Sequence, residues 1–102
     1  MVENPKLNFE TFAAHLKTSF RVKPGADSAV ELRLIEATDK SVPRQEMFSL
    51  IFQGPNQTFL PQGIYLIEHD GIGAFDLFMT PIGRDEDGYR YEAVFNRIRE
   101  QS

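Results

Sequence analysis

The stretch IYLIEHDGIGAFDLFMT, residues 64–80, decides the fold class of this 102-residue chain. Two apolar runs, 64–69 and 74–80, are rich in β-branched and aromatic side chains, which favour strands. The short connection between them begins with Asp70-Gly71, a pair typical of tight turns between antiparallel strands. The stretch therefore predicts a β-hairpin.

The same alternation of apolar and polar residues continues on both sides of this hairpin. A period of two residues is typical of a strand, because successive side chains point to opposite faces of the sheet. Four further segments show it, at about 18–23, 29–37, 47–53 and 89–96. Together with the hairpin they give about six strands.

Turn residues separate the predicted strands. The pair Pro24-Gly25 suits a type II turn and is expected to close the first strand. The fifth strand is expected to end near Pro81, and the loop 83–88 to lead into the sixth. We therefore expect a single mainly β domain, 1–102, in which a short N-terminal helix precedes about six antiparallel strands in a twisted sheet or small, partly open barrel.

The period changes to that of a helix only near the N-terminus, at residues 8–17. Asn8 stands where an N-cap residue is expected. His15 lies away from the apolar stripe of the helix. That stripe consists of Phe9, Phe12, Ala13 and Leu16.

Several strands carry large apolar residues on both faces. Ile64 and Leu66, for example, alternate with Tyr65 and Ile67. A sheet with one solvated face would carry polar residues on that face, so both faces here need cover. Two explanations stay open: the sheet curls into a barrel with the helix over an opening or outer face, or a protein partner or second copy supplies the cover.

Composition excludes several classes of function. The chain has no cysteine, which rules out thiolate metal sites and cysteine nucleophiles and favours a cytoplasmic location. Its net charge is −4 and its basic residues are scattered, which argues against a nucleic-acid or membrane surface. We find neither a signal peptide nor an apolar run approaching the ~20 residues that cross a bilayer.

Groups that could carry chemistry are few. His69 lies between Glu68 and Asp70, and a metal site or a general base oriented by a carboxylate needs such neighbours. Adjacent strand residues point to opposite faces, however, so we interpret His69 as a solvated strand end. The acidic residues 85–87 lack the spacing of a calcium loop. The segment 71–73 precedes a strand, whereas a pyrophosphate site needs a helix. We therefore expect no catalytic residue, no metal and no cofactor.

Six residues are candidates for contact with a partner: Phe59, Leu60, Tyr65, His69, Glu92 and Arg97. Phe59 and Leu60 lie in a loop, where they either fold back onto the core or reach outward. Glu92 shares a strand face with Arg90, and we expect Arg90 or a cation from a neighbouring strand to hold it. In a second hypothesis, Tyr65, His69, Glu92 and Arg97 converge as the polar groups of one pocket.

Several stretches resemble a family of small bacterial proteins known as a domain of unknown function. The stretches are FSLIFQGP at 48–55, LPQGIY at 60–65 and, most specific, YEAVFNR at 91–97. The similarity covers nearly the whole chain. It brings no catalytic residue, cofactor or substrate with it, and an association with phage-tail-like proteins implies at most a structural or assembly role.

These observations favour a non-enzymatic protein–protein interaction or assembly module, which could belong to a phage-tail-like particle. The alternative is a small-molecule-binding β-barrel or an enzyme with a pocket near His69 and Glu92. Self-association would favour the first hypothesis, and convergence of the polar candidates on one concave site would favour the second.

Overall fold

The structure, a computed structural model, describes residues 7–25 and 28–98. Within these residues the chain forms one helix and six strands, and every strand pairing is antiparallel. The elements are α1 (Phe9–Ala13), β1 (Ser19–Gly25), β2 (Ser28–Asp39), β3 (Gln45–Gly54), β4 (Gly63–His69), β5 (Gly73–Asp85) and β6 (Gly88–Ile98). The predicted mainly β fold with one short N-terminal helix is confirmed.

The six strands form one sheet that closes into an uneven ring in the order β1–β2–β3–β6–β5–β4. Strands β3 and β6 share ten residue pairs, from Gln45–Ile98 to Gly54–Tyr89. Strands β1 and β4 share only three, at residues 21–23 and 66–68. The next residue of β1 is Pro24, which has no backbone N–H to donate and so limits the extension of this pairing. We call the β1–β4 pairing the seam.

The core lies inside the ring, and α1 closes one end of it. Phe12 of α1 is 0% exposed. Its ring contacts four other aromatic rings at centroid distances of 5.5 to 6.3 Å, those of Phe20, Phe48, Phe75 and Phe95. A helix of five residues is too short to be stable alone, so these packing contacts hold it in place.

The helix is shorter than the predicted 8–17. Asn8 caps its first turn as expected. The helix then gives way to a turn because the chain must enter β1: Lys17 has a φ of 71°, and its N–H donates to the carbonyl oxygen of Leu34 in β2 at 2.7 Å. Leu16 consequently leaves the predicted apolar stripe and is 38% exposed.

Two strands continue past the prolines that were expected to end them. Strand β1 includes Pro24 and Gly25, so the predicted turn at this pair is wrong, and the connection to β2 falls at 26–27, outside the described residues. Strand β5 passes Pro81 at a bulge, where the pairing register shifts between Pro81 and Gly83. The pairing skips Ile82, the residue after the proline, and bulges, which interrupt the regular hydrogen-bond ladder, are among the places where a sheet tolerates proline.

The predicted loop 83–88 is mostly strand. Asp85 pairs with Gly88, which leaves a hairpin connection of two residues, 86–87. Gly88 has a φ of 137°, and a Cβ atom added to it would lie 1.8 Å from the carbonyl oxygen of Gly54. Only glycine fits this close approach of two backbones.

Candidate functional site

His69, the last residue of β4, is only 7% exposed, so its interpretation as a solvated strand end is wrong. Its Nδ1 accepts the backbone N–H groups of Gly71 and Ile72 at 2.9 and 3.2 Å. Its Nε2 lies 2.9 Å from Oγ1 of Thr18, whose hydroxyl donates to the carbonyl oxygen of His15. Because Nδ1 accepts, the proton of the neutral ring lies on Nε2 and is donated to Thr18.

A second histidine lies against this ring. The ring centroid of His15 is 4.6 Å from that of His69, and the Phe20 centroid is 4.3 Å from it. Burial lowers the pKa of His69, electrostatic interactions with His15 and Arg21 lower it further, and the Asp70 carboxylate raises it. The surroundings therefore favour neutral His69. This contact cannot be recognised from local sequence patterns, because the two histidines are far apart in the chain.

The two carboxylates beside His69 bind cations of β1 instead. Oε1 of Glu68 lies 3.8 Å from Nε of Arg21 and 3.5 Å from Nζ of Lys23. Oδ1 of Asp70 lies 3.0 Å from Nη2 of Arg21. All three ion pairs cross the seam on the outside of the ring, where they add charge attraction to its few backbone contacts.

Tyr65 and Arg97 each have a local partner. Tyr65 donates its hydroxyl proton to the carbonyl oxygen of Pro61, and burial raises the pKa of this hydroxyl. Nη2 of Arg97 donates to the carbonyl oxygen of Leu7 at 2.6 Å and lies 3.0 Å from Oε1 of Glu46. Tyr65 thus holds the loop before β4, and Arg97 holds the residue that leads into α1.

Glu92 lies on the outer face of β6, since both of its strand neighbours are buried. The expected partner Arg90 instead contacts Asp85 at 2.5 Å. His69 is buried and Tyr65 packs partly against the core, so both lie on the inner face. The four polar candidates of the pocket hypothesis are therefore divided between the two faces of the ring.

Phe59 and Leu60 lie in the loop before β4 and differ in environment. Leu60 is 2% exposed, and its backbone N–H donates to the hydroxyl of Tyr91 at 3.0 Å. Phe59 is 51% exposed, and its ring lies against that of Tyr89 with centroids 5.2 Å apart. Of the two alternatives left open by the sequence, Leu60 folds back onto the core and Phe59 stays at the surface.

Exposed apolar side chains lie on the outer face of β4, β5 and β6. Ile64 and Phe78 stand directly opposite each other and are 71% and 50% exposed. Leu66, two residues along β4, is 43% exposed, and Val94 of β6 is 59% exposed. We call these four residues the outer patch. The inner residues of the same strands form the core, which explains why both faces are apolar in the sequence.

A surface groove of about 560 Å³ lies along β2, away from these residues. Glu31 and Arg33 of β2, Gln53 of β3 and two residues of the connections, Thr58 and Asp87, contribute to its walls. In the described part of the chain, none of the six predicted contact residues lines this groove. The groove therefore does not support the pocket hypothesis for those residues.

Comparison with known protein families identifies the family of this chain. A family described as a domain of unknown function, DUF6916, matches residues 7–95, a range that holds the helix, the first five strands and most of β6. The chain belongs to the DUF6916 family. This match confirms the resemblance to a family of unknown function. For this DUF6916 domain, neither the curated proteins nor the solved structures yielded a match.

Two further properties of the DUF6916 domain concern only residues 7–25 and 28–98. In these ranges no three His, Cys, Asp or Glu side chains are grouped so that they could hold a metal ion. The same part of the chain has no helix of the length and apolar character that crossing a bilayer requires.

Proposed function

We propose that this DUF6916 domain is a non-enzymatic protein–protein interaction and assembly module, and that its outer patch binds a second copy of the chain. The observation that carries the proposal is the exposed cross-strand pair of Ile64 and Phe78. Adjacent large apolar side chains favour a contact that removes them from water, at roughly 25 cal/mol per Å² of apolar area covered.

Helix α1 and the loop before β4 cover core residues and not the outer patch. Helix α1 places Phe12 among the core phenylalanines at the end of the ring. The loop before β4 directs Leu60 into the core. Both elements cover inner residues, and the outer patch keeps its exposure.

The charges beside the outer patch favour a second copy as the partner. Lys23 of β1 stands opposite Leu66 of β4, which in turn stands opposite Asp76 of β5. A positive side chain and a negative side chain thus flank Leu66, and both are exposed. A twofold axis parallel to these strands and above β4 would place Lys23 of each copy, which also pairs with Glu68 of its own chain, against Asp76 of the other, so the charges of this surface are complementary to themselves.

Light scattering on a size-exclusion column, over a series of loading concentrations, tests the proposal. We expect the molar mass of the natural protein to rise from monomer to dimer, and Phe78→Asp to stay monomeric where the natural protein is dimeric. Val42→Asp is the matched control, because Val42 is also 50% exposed but lies in the β2–β3 connection. Circular dichroism establishes that each variant is folded. A natural protein that is monomeric throughout the series would contradict the proposal.

A charge variant tests the orientation of the two copies. Asp76→Lys would place two lysines opposite each other at each Lys23 contact, so the dimer should weaken, and more so at low salt. Glu31→Lys is its control, since Glu31 is an exposed carboxylate on β2, outside the patch. Equal effects of the two substitutions would refute this orientation. Species larger than a dimer would favour a repeated assembly, such as the phage-tail-like particle that the resemblance implied.

A further inference from the structure

We propose that His69 is a pH-sensitive latch, whose neutral ring joins the turn after α1 to the turn between β4 and β5 and whose protonation releases the β4–β5 turn. This inference goes beyond the assembly proposal, because it concerns the helix-closed end of the ring. It stands on the hydrogen bonds of one buried side chain and on the groups packed around it.

Both ring nitrogens of His69 are engaged. Nδ1 accepts from the backbone N–H groups of Gly71 and Ile72, and Nε2 is bonded to the Thr18 hydroxyl. In a protonated imidazole both nitrogens are donors. A proton on Nδ1 would therefore face two N–H donors and leave both of them without their acceptor, so the ring and the β4–β5 turn must separate.

Reorientation of the ring in place does not solve this conflict. After a flip the protonated ring still presents a donor on each side. The space is also limited, since the rings of Phe20 and His15 lie at 4.3 and 4.6 Å. The turns themselves are in close contact: a Cβ atom added to Gly71 would lie only 2.8 Å from Cε1 of His15. Protonation must therefore move one turn relative to the other.

The titratable and charged groups around His69 come from four segments of the chain. His15 in the turn after α1 and Arg21 in β1 both disfavour a positive charge on the ring. Asp70 in the β4–β5 turn favours that charge but is bound to Arg21 at 3.0 Å. Glu68 of β4 also pairs with Arg21, on the outside of the ring. Together with burial, the largest cause, these groups lower the pKa of His69.

The direction of the pH response follows from this lowered pKa. In the unfolded chain His69 takes up its proton around its ordinary pKa of 6.5. The latch therefore contributes its full stability above pH 6.5 and loses it as the pH falls from 6.5 through the pKa of the folded state. Acidification below that window opens the latch.

Amide hydrogen exchange of the full chain, followed from about pH 7.5 to about pH 5, tests the latch at Gly71 and Ile72. One pH unit below the midpoint, protonated rings outnumber neutral rings by roughly ten to one. Protection factors corrected for the intrinsic pH dependence of exchange should then have fallen about tenfold. Amides in the β3–β6 pairing serve as the internal reference and should keep their protection.

Two variants separate the latch from a merely structural role. In His69→Asn the side-chain oxygen can replace Nδ1 as the acceptor but cannot be protonated, so the protection of Gly71 and Ile72 should no longer depend on pH. His15→Asn removes the electrostatic interaction with His15 that lowers the pKa of His69, so the midpoint should move to higher pH. An acid-dependent loss of protection in His69→Asn equal to that of the natural protein would overturn the proposal.

If His69→Asn fails to fold, the natural protein alone still tests the latch. Nitrogen NMR of the imidazole follows the titration of His69 directly, and its midpoint should lie below 6.5 and coincide with the loss of protection. A titration of His69 that leaves the exchange of Gly71 and Ile72 unchanged would refute the latch. Neither outcome depends on whether the domain forms dimers.

Discussion

Replacement of Phe12 by alanine tests whether the short helix belongs to the core. Phe12 is 0% exposed and lies among four aromatic rings at centroid distances of 5.5 to 6.3 Å, so Phe12→Ala leaves a cavity that these rings cannot easily fill. A buried phenylalanine replaced by alanine costs about 3–5 kcal/mol of the free energy of unfolding. Domains of this size have about 5–15 kcal/mol in total, so the loss is a large share.

Urea denaturation followed by circular dichroism measures this loss. With a slope of about 1–3 kcal/mol per M, a loss of 3 kcal/mol or more lowers the midpoint by at least about 1 M. Phe59→Ala is the matched control, because it removes the same ring from a side chain that is 51% exposed. We expect it to lose less than half as much. A loss below about 1 kcal/mol for Phe12→Ala would show that α1 is not part of the cooperative core and would refute the reasoning.

Two further substitutions test local backbone features by the same denaturation. Gly88→Ala should cost more than Gly73→Ala: both glycines have a positive φ, a strain of about 1–3 kcal/mol for other residues, but an added Cβ would clash with Gly54 only at Gly88. Equal losses would contradict the close approach of the two backbones. Asn8→Ala should cost about 0.5–2 kcal/mol, because the Thr11 N–H loses its cap, whereas Asn8→Asp should keep most of the stability. Full stability of Asn8→Ala would show that the cap is dispensable.

The strands were predictable because their signal is local. Alternation of apolar and polar residues identified all six, and the observed bounds differ from the predicted ones mainly at the ends. At those ends distant contacts decide. The helix gives way to a turn before Lys17 because the N–H of that residue is bonded to Leu34 of β2, and β5 continues past Pro81 because the strand bulges there. Neither the hydrogen bond to Leu34 nor the bulge can be recognised from the neighbouring residues in the sequence.

The candidate site was less predictable than the fold. Apolar residues on both faces of β4 predicted that both faces need cover. The inner face is enclosed and the outer patch is exposed, a difference that the alternation alone cannot reveal. For His69 the environment predicted from the sequence was wrong. Its charged neighbours suggested a solvated position, whereas the bare N–H groups of the following turn, together with Thr18, supply the hydrogen bonds that allow the ring to be buried.

The seam is the junction of the ring with the fewest residue pairs. With only three residue pairs, it is the contact whose loss needs the fewest broken backbone hydrogen bonds. Its opening would turn a ring without edges into a twisted sheet of six strands with β1 and β4 as free edges, to which strands of other chains could add. The ion pairs that cross the seam are partly exposed to solvent and are weakened by salt. The junction of β3 and β6 also carries one ion pair, between Glu46 and Arg97, but it keeps ten residue pairs of backbone contact. The junction with the fewest backbone pairs is thus also the one with the most ion pairs, and ionic strength weakens it in proportion.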